Sequence, residues 1–329
     1  MPAEGHSTAP STRAFRPALL WLLVPVLALV ELGGQRVIVA RVAPKDDWRR
    51  AAELVRENRR PRDLVTSAPG WTDPILREMA GDMISLADAG RSDTAAYDRI
   101  WVLSVRGARS PEAPDRDPDF ERDFGRVRVE RWQLPPSTVL YDLVEHVDEG
   151  RAAIVEDGQE QSCPLRTQAV LGGVGLDRGP IKPGSIFACD PRRDWLWIGA
   201  TVFEDSEHRA RRCVWQHPAG HDPIRVTLPD VPLGDRIVLY GGLHRDQAFD
   251  DHRGTVHVSV SVDGEPVGEL NHPAGPGWSR MEARTQSAGA RRERGAVTID
   301  VTADDPEWRH FCWSATTQRD AAGVREAAR

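Results

Sequence analysis

The 329-residue chain is nearly devoid of lysine, since Lys45 and Lys182 are its only two. Its positive charge is therefore almost all arginine, a bias typical of a GC-rich genome, so no single arginine indicates an anion site. Fifty acidic residues outnumber 43 basic ones and give a net charge of −7. This balance excludes the basic surface that attracts nucleic acid, so no nucleic-acid partner is predicted.

Sequence motifs that identify catalysis are also absent. The chain has no phosphate-binding P-loop, no Gly-x-Ser-x-Gly nucleophile elbow and no His-Glu-x-x-His zinc helix. The glycine-rich stretch 171–175 (LGGVG) does not complete a dinucleotide fingerprint and is predicted to be a turn. The chain also lacks the Cys-x2-Cys spacing that is typical of zinc sites. The sequence therefore predicts no catalytic residue and no metal ligand, and Ca²⁺ is the one cofactor left open.

An apolar run near the start of the chain has the length of a membrane anchor. Residues 17–30 read PALLWLLVPVLALV, and counting on to Gln35 gives nineteen residues with Glu31 as the one carboxylate. A bilayer span needs about 20 residues. Apolarity on all faces disfavours the alternative of a buried core helix. Arg13 and Arg16 before the run predict a cytoplasmic N-terminus.

The anchor interpretation predicts a membrane partner and a location. Residues 1–16 would lie in the cytoplasm and residues 17–35 in a bacterial inner membrane, with everything after about residue 42 in the periplasm. A cleaved signal peptide is the alternative, and it would leave a secreted protein. The anchor is preferred because no small-x-small cleavage site is evident where ALV at 28–30 is followed by a glutamate.

Residues 42–150 have the pattern of a small α/β domain. Trp48, Ala51, Ala52 and Val55 fall on one helical stripe, and Asp73-Pro74 suits the start of a second helix. Helices between strands predict a small parallel or mixed, Rossmann-like sheet. The predicted elements are helices beginning near 45 and 73, strands at 64–67, 100–105 and 125–132, and a surface loop at 108–123.

From about residue 151 the hydrophobic pattern changes to period two. Valines at 256, 258, 260 and 262 alternate with polar residues, and Asp263-Gly264 supplies a tight hairpin turn. Many short strands without helices between them predict a jelly-roll-like antiparallel β-sandwich over 151–318, with a tail at 319–329. The predicted strands are 195–203, 211–216, 224–228, 236–240, 255–262, 266–270, 296–302 and 311–316.

Two partial resemblances accompany this α+β, multidomain prediction. Within residues 45–135, Asp47-Trp48, PRDLVTSAPGW, DRIWVLSVRG and FGRVRVERW resemble the extracytoplasmic α/β domain of some bacterial integral-membrane glycosyltransferases. The chain lacks their multi-span catalytic portion, so glycosyl transfer is not implied. Within 185–316, LPDVPLGDRIVLYGGL and VSVSVDGEPVG resemble galactose-binding-like β-sandwiches, a fold that hosts many functions.

The four cysteines are an even number in a predicted oxidising compartment, which favours disulfides. Three pairings are possible. We prefer Cys163–Cys189, as a local loop staple, together with Cys213–Cys312, which would join an early sandwich strand to the last one. Buried free thiols are the alternative.

Candidate ligand-binding residues lie in the second half, which holds eight of the ten histidines. His244, Arg245 and Asp246 follow a predicted strand, where such groups bind Ca²⁺ or sugar hydroxyls, or are simply solvated. Trp278 lies in a glycine-rich loop, where its ring would either stack on a sugar or plug the end of the sandwich. His272 completes the set of candidate ligand-binding residues. If His244, Asp246, His272 and Trp278 line one pocket, a sugar or metal site is favoured, and if they point to separate loops, a tethered scaffold is favoured.

Three functions fit these features. The leading hypothesis is a membrane-tethered, non-catalytic envelope protein whose sandwich binds carbohydrate or a glycan-processing envelope protein. The second is an enzyme acting on envelope glycans as a glycosidase or transferase, which requires two carboxylates about 5–10 Å apart in one cleft. Its candidate acid/base residues are Asp246, Asp250, Asp251 and Glu265. The third is a structural or assembly scaffold that contacts a neighbouring protein.

Overall fold

The computed structural model describes residues 18–80, 90–167, 179–181, 183–249, 251–285 and 292–320. The predicted turn at 171–175, the segment 1–16 and nearly all of the tail lie outside these residues. The chain divides into two compact units, Met1–Pro44 and Lys45–Arg329.

The described part of the first unit is one helix, α1 (Ala18–Arg41). Eight large hydrophobic side chains of this helix, between Leu23 and Val37, are more than half exposed. Within the part of the chain that the structure describes, no helix is both long and apolar enough to cross a membrane. The anchor at 17–35 stays a prediction.

The second unit begins with a four-stranded mixed sheet. Its order is β1-β2-β4-β3, in which β1 and β2 are parallel and the other two pairs antiparallel. The prediction of a parallel or mixed sheet is therefore confirmed in its mixed form. A Rossmann-like sheet is not shown, because only one pair of strands is parallel. The elements are α2 (Lys45–Asn58), β1 (Asp63–Ala68), α3 (Asp73–Ala80), β2 (Arg99–Val105), β3 (Phe120–Phe124) and β4 (Val127–Gln133).

Burial within this sheet follows the sequence pattern, with one correction. Helix α2 buries the predicted stripe, and every residue of the central strand β2 is buried. The prediction of a surface loop over 108–123 is wrong for its last residues, because Phe120–Phe124 form β3, an edge strand of the sheet. Phe120 packs edge-to-face on Trp101 at a centroid distance of 6.0 Å, which fixes that strand despite its three charged residues.

The remainder of the second unit is an antiparallel β-sandwich. One sheet has the order β16-β13-β18-β11-β10-β9-β8, with β5 also pairing with β18, and the other has the order β15-β14-β17-β12-β6-β7. From β12 to β18 the chain repeatedly crosses between the sheets, as in a jelly roll. The strands are β5 (Val139–Asp142), β6 (Arg151–Glu156), β7 (Gln159–Cys163), β8 (Leu165–Thr167), β9 (Ser185–Ala188), β10 (Trp197–Glu204), β11 (Ala210–Gln216), β12 (Ile224–Pro232), β13 (Arg236–Leu243), β14 (Val256–Val262), β15 (Glu265–His272), β16 (Trp278–Arg284), β17 (Arg294–Ala303) and β18 (Phe311–Gln318), with one short helix, α4 (Arg245–Ala248), after β13.

All eight predicted sandwich strands are confirmed. Asp263 and Gly264 have φ of 50° and 81°, which confirms the predicted hairpin turn. Strand β5 already belongs to a sandwich sheet, although it precedes residue 150. The predicted division at 42–150 and 151–318 stays a prediction.

Both preferred disulfides are confirmed. Cys163 is bonded to Cys189, and Cys213 to Cys312. The alternative of free thiols is therefore wrong for all four cysteines. The second bond links β11 to β18 in the same sheet.

Candidate functional site

The hairpin between β10 and β11 carries buried charges that contact the mixed sheet. Arg209 donates to the Glu112 carboxylate, and its Nη2 donates to the Ser67 carbonyl at 3.3 Å. Arg211 donates from Nη2 to Glu112 Oε1 at 2.7 Å and from Nε to Asp205 Oδ2 at 2.9 Å. We call Glu112, Asp205, Arg209 and Arg211 the arginine–carboxylate junction.

The junction holds the Glu112 carboxylate ionised. Burial raises the pKa of Glu112, but Arg211 and Arg209 outweigh it and keep this pKa well below its ordinary value. Burial lowers the pKa of Arg211, but Glu112 and Asp205 outweigh it and raise this pKa. At neutral pH these groups therefore remain charged, and Glu112 has no proton to give.

Asp205 uses its full hydrogen-bonding capacity within the protein. Oδ1 accepts from the backbone N–H of Glu207 at 2.9 Å and of Arg209 at 3.0 Å. Oδ2 accepts from Arg211 and from Trp278 Nε1, the latter at 3.3 Å. A carboxylate has about four lone-pair sites, so Asp205 positions its neighbours and has no acceptor site left for a ligand.

A pocket of about 350 Å³ lies over the junction. One side comes from the segments before and after β2 and the other from the sandwich. Its lining residues are Ser92, Thr94, Pro111, Glu112, Asp205, Glu207, Arg211, Tyr240, Gly277 and Trp278.

Trp278 is the pocket's one tryptophan, and its partly exposed ring is held on three sides. Its indole N–H bonds Asp205, and its edge meets Phe203 at a centroid distance of 5.8 Å. It also covers Gly242, its partner across the strands, where a Cβ atom would approach the ring to 2.8 Å. Glycine is therefore required beneath the ring, which is fixed as a flat wall of the pocket.

The pocket contains a hydroxyl without a partner. Ser92 Oγ is buried and has no hydrogen bond to any described residue. Most buried polar atoms in proteins are paired, so an orphan of this kind calls for an explanation. If the Ser92 side chain turned toward the pocket, a ligand hydroxyl would supply the missing partner.

Of the five predicted ligand-binding residues, only Trp278 is among the lining residues of this pocket. His244 is buried, and its Nδ1 accepts from the Asp246 backbone N–H at 3.3 Å, which caps α4. Arg245 bonds Glu204 at 2.8 Å and Asp246 at 3.1 Å. His244 and Trp278 both contact the Phe203 ring.

His272 is also buried rather than facing the pocket. Its Nδ1 lies 2.8 Å from Ser279 Oγ, and its Nε2 has no partner among the described residues. The binding roles of His244, Arg245, Asp246 and His272 stay predictions.

The carboxylates named for the enzymatic alternative are not gathered in this pocket. Glu265 begins β15 and the candidate binding residue His272 ends it. The two residues therefore lie about 23 Å apart along the strand. Asp250 and the side chain of Asp251 lie outside the described residues. Among those described, no group of three or more His, Cys, Asp or Glu is arranged to hold a metal ion.

Sequence reasoning missed the junction because its members come from distant segments. Glu112 lies in the stretch predicted to be a surface loop, and Ser92 in a stretch with no assigned role. One signal was present: Arg211 shares the face of β11 with Cys213 and Trp215 by period two, so an arginine stood at a buried position.

Comparison with known proteins identifies no family. No family model matches the chain, and no curated protein matches it. Solved structures give partial likenesses. CBM51-2 with the INT domains of Clostridium perfringens ZmpB is 15% identical, with a TM-score of 0.29, over 50% of this chain and about a third (32%) of that one.

Two further likenesses are to carbohydrate-binding modules. CBM36 in complex with calcium and xylotriose is 18% identical over 33% of this chain and 77% of that one, with a TM-score of 0.21. TmCBM61 in complex with β-1,4-galactotriose is 14% identical over 36% and 78%, with a TM-score of 0.22. Scores this low do not establish a shared fold or function. The glycosyltransferase resemblance of residues 45–135 gains no support from these comparisons.

Proposed function

We propose that the chain is a carbohydrate-binding protein whose pocket beside Trp278 holds one unit of a cell-envelope glycan. The observation that carries the proposal is the fixed, partly exposed Trp278 ring in a pocket whose lining also includes Ser92, a residue with an unpartnered hydroxyl. Sugars have an apolar face of C–H groups and a rim of hydroxyls. The Trp278 indole would stack on the apolar face, and the Ser92 hydroxyl would hydrogen-bond the sugar hydroxyls.

The size and polarity of the pocket agree with a small ligand. Its volume of about 350 Å³ lies near the lower end of the range for ligand pockets, about 300–1,000 Å³. Thr94 and Tyr240 add hydroxyl groups to the lining. Because the junction is already paired internally, it supplies a rigid base, and the ligand's own hydroxyls would bond Ser92 and Thr94.

The same geometry favours binding over hydrolysis. A glycosidase needs one carboxylic acid that is protonated at the working pH. Glu112 is held ionised by two arginines, and Asp205 is saturated with hydrogen bonds. Neither of these two carboxylates is available as an acid. The third carboxylate of the lining, Glu207, lies 3.3 Å from Arg209 Nε, and we propose a non-catalytic role for the pocket.

The proposal includes a membrane tether. The tether rests on the apolar run at 17–35, because no described helix is by itself long and apolar enough to cross a membrane. In this proposal the exposed apolar side chains of α1 contact the lipid of the inner membrane, and residues 45–329 lie in the periplasm. Two disulfides agree with an oxidising compartment. Washing membranes at alkaline pH tests this part: the full chain stays in the pellet if anchored, and a chain secreted after cleavage appears in the medium or the periplasmic fraction.

Titration calorimetry of the full chain tests the pocket. The probes are glucose, galactose, mannose and N-acetylglucosamine with their β-linked dimers, and galacturonic acid for the acidic class. We expect binding of at least one neutral sugar and a loss of tenfold or more in affinity for Trp278→Ala. Trp71→Ala is the matched control, because that tryptophan is half exposed but packs beside Arg106 outside the pocket lining.

Two results would overturn the proposal. If the wild-type chain binds none of the probes, the scaffold hypothesis replaces carbohydrate binding, and capture of an envelope protein becomes the next experiment. If Trp278→Ala binds as well as wild type, the sugar site lies elsewhere.

A further inference from the structure

The compact unit has a second aromatic surface, away from the pocket lining. Phe249 and Trp308 are 65% and 57% exposed, the highest values among the large hydrophobic residues described in this unit. Arg309, directly after Trp308, is fully buried and donates to the carbonyls of Gln247 at 3.5 Å and Gly254 at 2.8 Å. The loop that carries Phe249 therefore wraps the residue next to Trp308, and the two rings lie on adjoining loops.

The backbone of Trp308 is in an unusual conformation. Its φ is 59°, in the left-handed region, where a bulky side chain is a genuine outlier. The hydrogen bond from the Arg309 N–H to the Pro306 carbonyl, at 3.2 Å, closes the turn that imposes this conformation. Glycine or asparagine would fit here without strain. Strained residues cluster at functional sites, so the exposed ring of Trp308 is a candidate for contact with a ligand.

A chain of ring contacts connects this surface to the pocket. Trp308 lies 6.0 Å from His310, measured between ring centroids, and His310 lies 6.0 Å from His244. His244 lies 5.9 Å from Phe203, which in turn contacts Trp278 at 5.8 Å. Since His244 and Phe203 are fully buried, these steps run through the interior of the unit.

The charges beside Trp308 indicate the chemistry of a partner. Arg253 Nη1 lies 2.6 Å from Glu307 and 3.4 Å from Asp305, so the one cation joins two carboxylates. A surface of this kind does not attract anionic lipid headgroups, which require clustered basic residues. Flat rings beside paired polar groups suit a neutral, amphipathic ligand such as a sugar chain.

We propose that Phe249 and Trp308 form a second contact for the same glycan chain, several sugar units away from the unit in the pocket. This inference rests on the proposed function, because it takes the pocket as the primary site. Two linked contacts raise the affinity for long chains far more than for short ones, since the second contact forms within an already bound complex.

The test compares short and long sugars with the full chain. Dimers and hexamers of N-acetylglucosamine, galactose and mannose are titrated against wild type, Trp278→Ala, Trp308→Gly and Trp308→Phe. We expect Trp308→Gly to leave the dimer affinity within twofold of wild type and to weaken hexamer binding about tenfold. Trp308→Phe keeps a flat ring and should retain most of the hexamer affinity, while Trp278→Ala should weaken binding of both lengths.

Each outcome decides one point. If wild type binds a dimer and a hexamer while Trp308→Gly binds the hexamer equally well, the second contact is refuted and the pocket stands. If wild type binds neither length, the proposed function fails and the second contact with it. Trp308→Gly relieves the left-handed backbone, so we expect no drop in melting temperature. A drop together with weaker binding of both lengths would assign Trp308 a structural role and overturn the inference.

Discussion

The second unit buries polar side chains in two different ways. At the arginine–carboxylate junction, buried charges neutralise one another through direct hydrogen bonds. Elsewhere in the sandwich, the buried imidazoles of His217 and His272 and the partly buried imidazole of His310 have no carboxylate bonded to them in the described structure. The first arrangement stays charged at neutral pH, whereas the second stays neutral.

The pKa values of these groups express the difference. Burial and the neighbouring His310 lower the pKa of His217 to about 3, and burial and His244 lower that of His310 to about 4. Burial and Arg309 lower the pKa of His272 to about 4. At the junction, arginines overcome the effect of burial on Glu112 and hold its pKa down. A paired group resists acid until its own carboxylate is protonated, whereas an unpaired imidazole favours the unfolded state as soon as the unfolded chain takes up protons.

The largest expected effect comes from breaking the junction. Glu112→Gln keeps the size of the side chain but leaves Arg209 and Arg211 buried without their shared carboxylate. We expect the free energy of unfolding at pH 7 to fall by about 3–5 kcal/mol, measured by urea denaturation. Glu53→Gln, on the exposed face of α2, is the control and should change it by less than about 0.5 kcal/mol. Equal effects of the two substitutions would contradict a paired, buried junction.

Acid should act next, through the histidines. Their folded pKa values are depressed, so their contribution to stability is complete above about pH 6.5 and is lost as pH falls from there toward 4. For each imidazole we expect a loss of about 2–3 kcal/mol between pH 6.5 and 4.5. His217→Gln should reduce the stability change over this range by that amount, as measured by urea denaturation at several pH values.

His257 provides a control of opposite sign. It is partly exposed, and hydrogen bonds to Asn271 and Asp304 raise its pKa. Its contribution is therefore present at low pH and is lost as pH rises through its folded pKa. His257→Gln should make the acid loss slightly steeper. An unchanged slope for His217→Gln would show that the buried imidazoles do not govern acid unfolding.

The smallest expected effect concerns the orphan hydroxyl above the junction. Ser92→Ala removes a buried oxygen that has no partner in the described structure, so stability should be unchanged within about 0.5 kcal/mol. If a sugar hydroxyl bonds that oxygen, affinity should fall about three- to tenfold, equivalent to about 0.5–1.5 kcal/mol. Calorimetry with the best-bound sugar measures the affinity, and urea denaturation measures the stability. A loss of stability without a loss of affinity would give Ser92 a structural role instead.

Much of the sandwich could be predicted because its long strands alternate cleanly. Strands such as β14 and β17 place every second side chain in the core, and the disulfide pairing followed from which strands open and close that region. Short or polar strands left no such signal. β7 (QEQSC) buries only Cys163, and β8 has three exposed residues. Such strands are fixed by backbone pairing with their neighbours, which no local pattern encodes.

The candidate site was predictable only in part. Trp278 was recognised from its glycine-rich surroundings, although it begins a strand and is not in a loop. Ser92 and Glu112 reach the pocket because the mixed sheet packs against the β10–β11 hairpin, a long-range contact with no sequence motif. His244 caps α4, a helix of only four residues, and no sequence pattern indicated that role; its binding role stays a prediction.

The position of β18 has a consequence for the order of synthesis. This strand is the last described in the chain, yet it lies at the middle of its sheet, between β13 and β11, and also pairs with β5. The central strand of this sheet is therefore synthesised after the strands that flank it. Until β18 is added, β13 and β11 each have an unpaired edge that can pair with other chains. We expect any truncation before Phe311 to produce an aggregation-prone chain in which Cys213 has lost its partner.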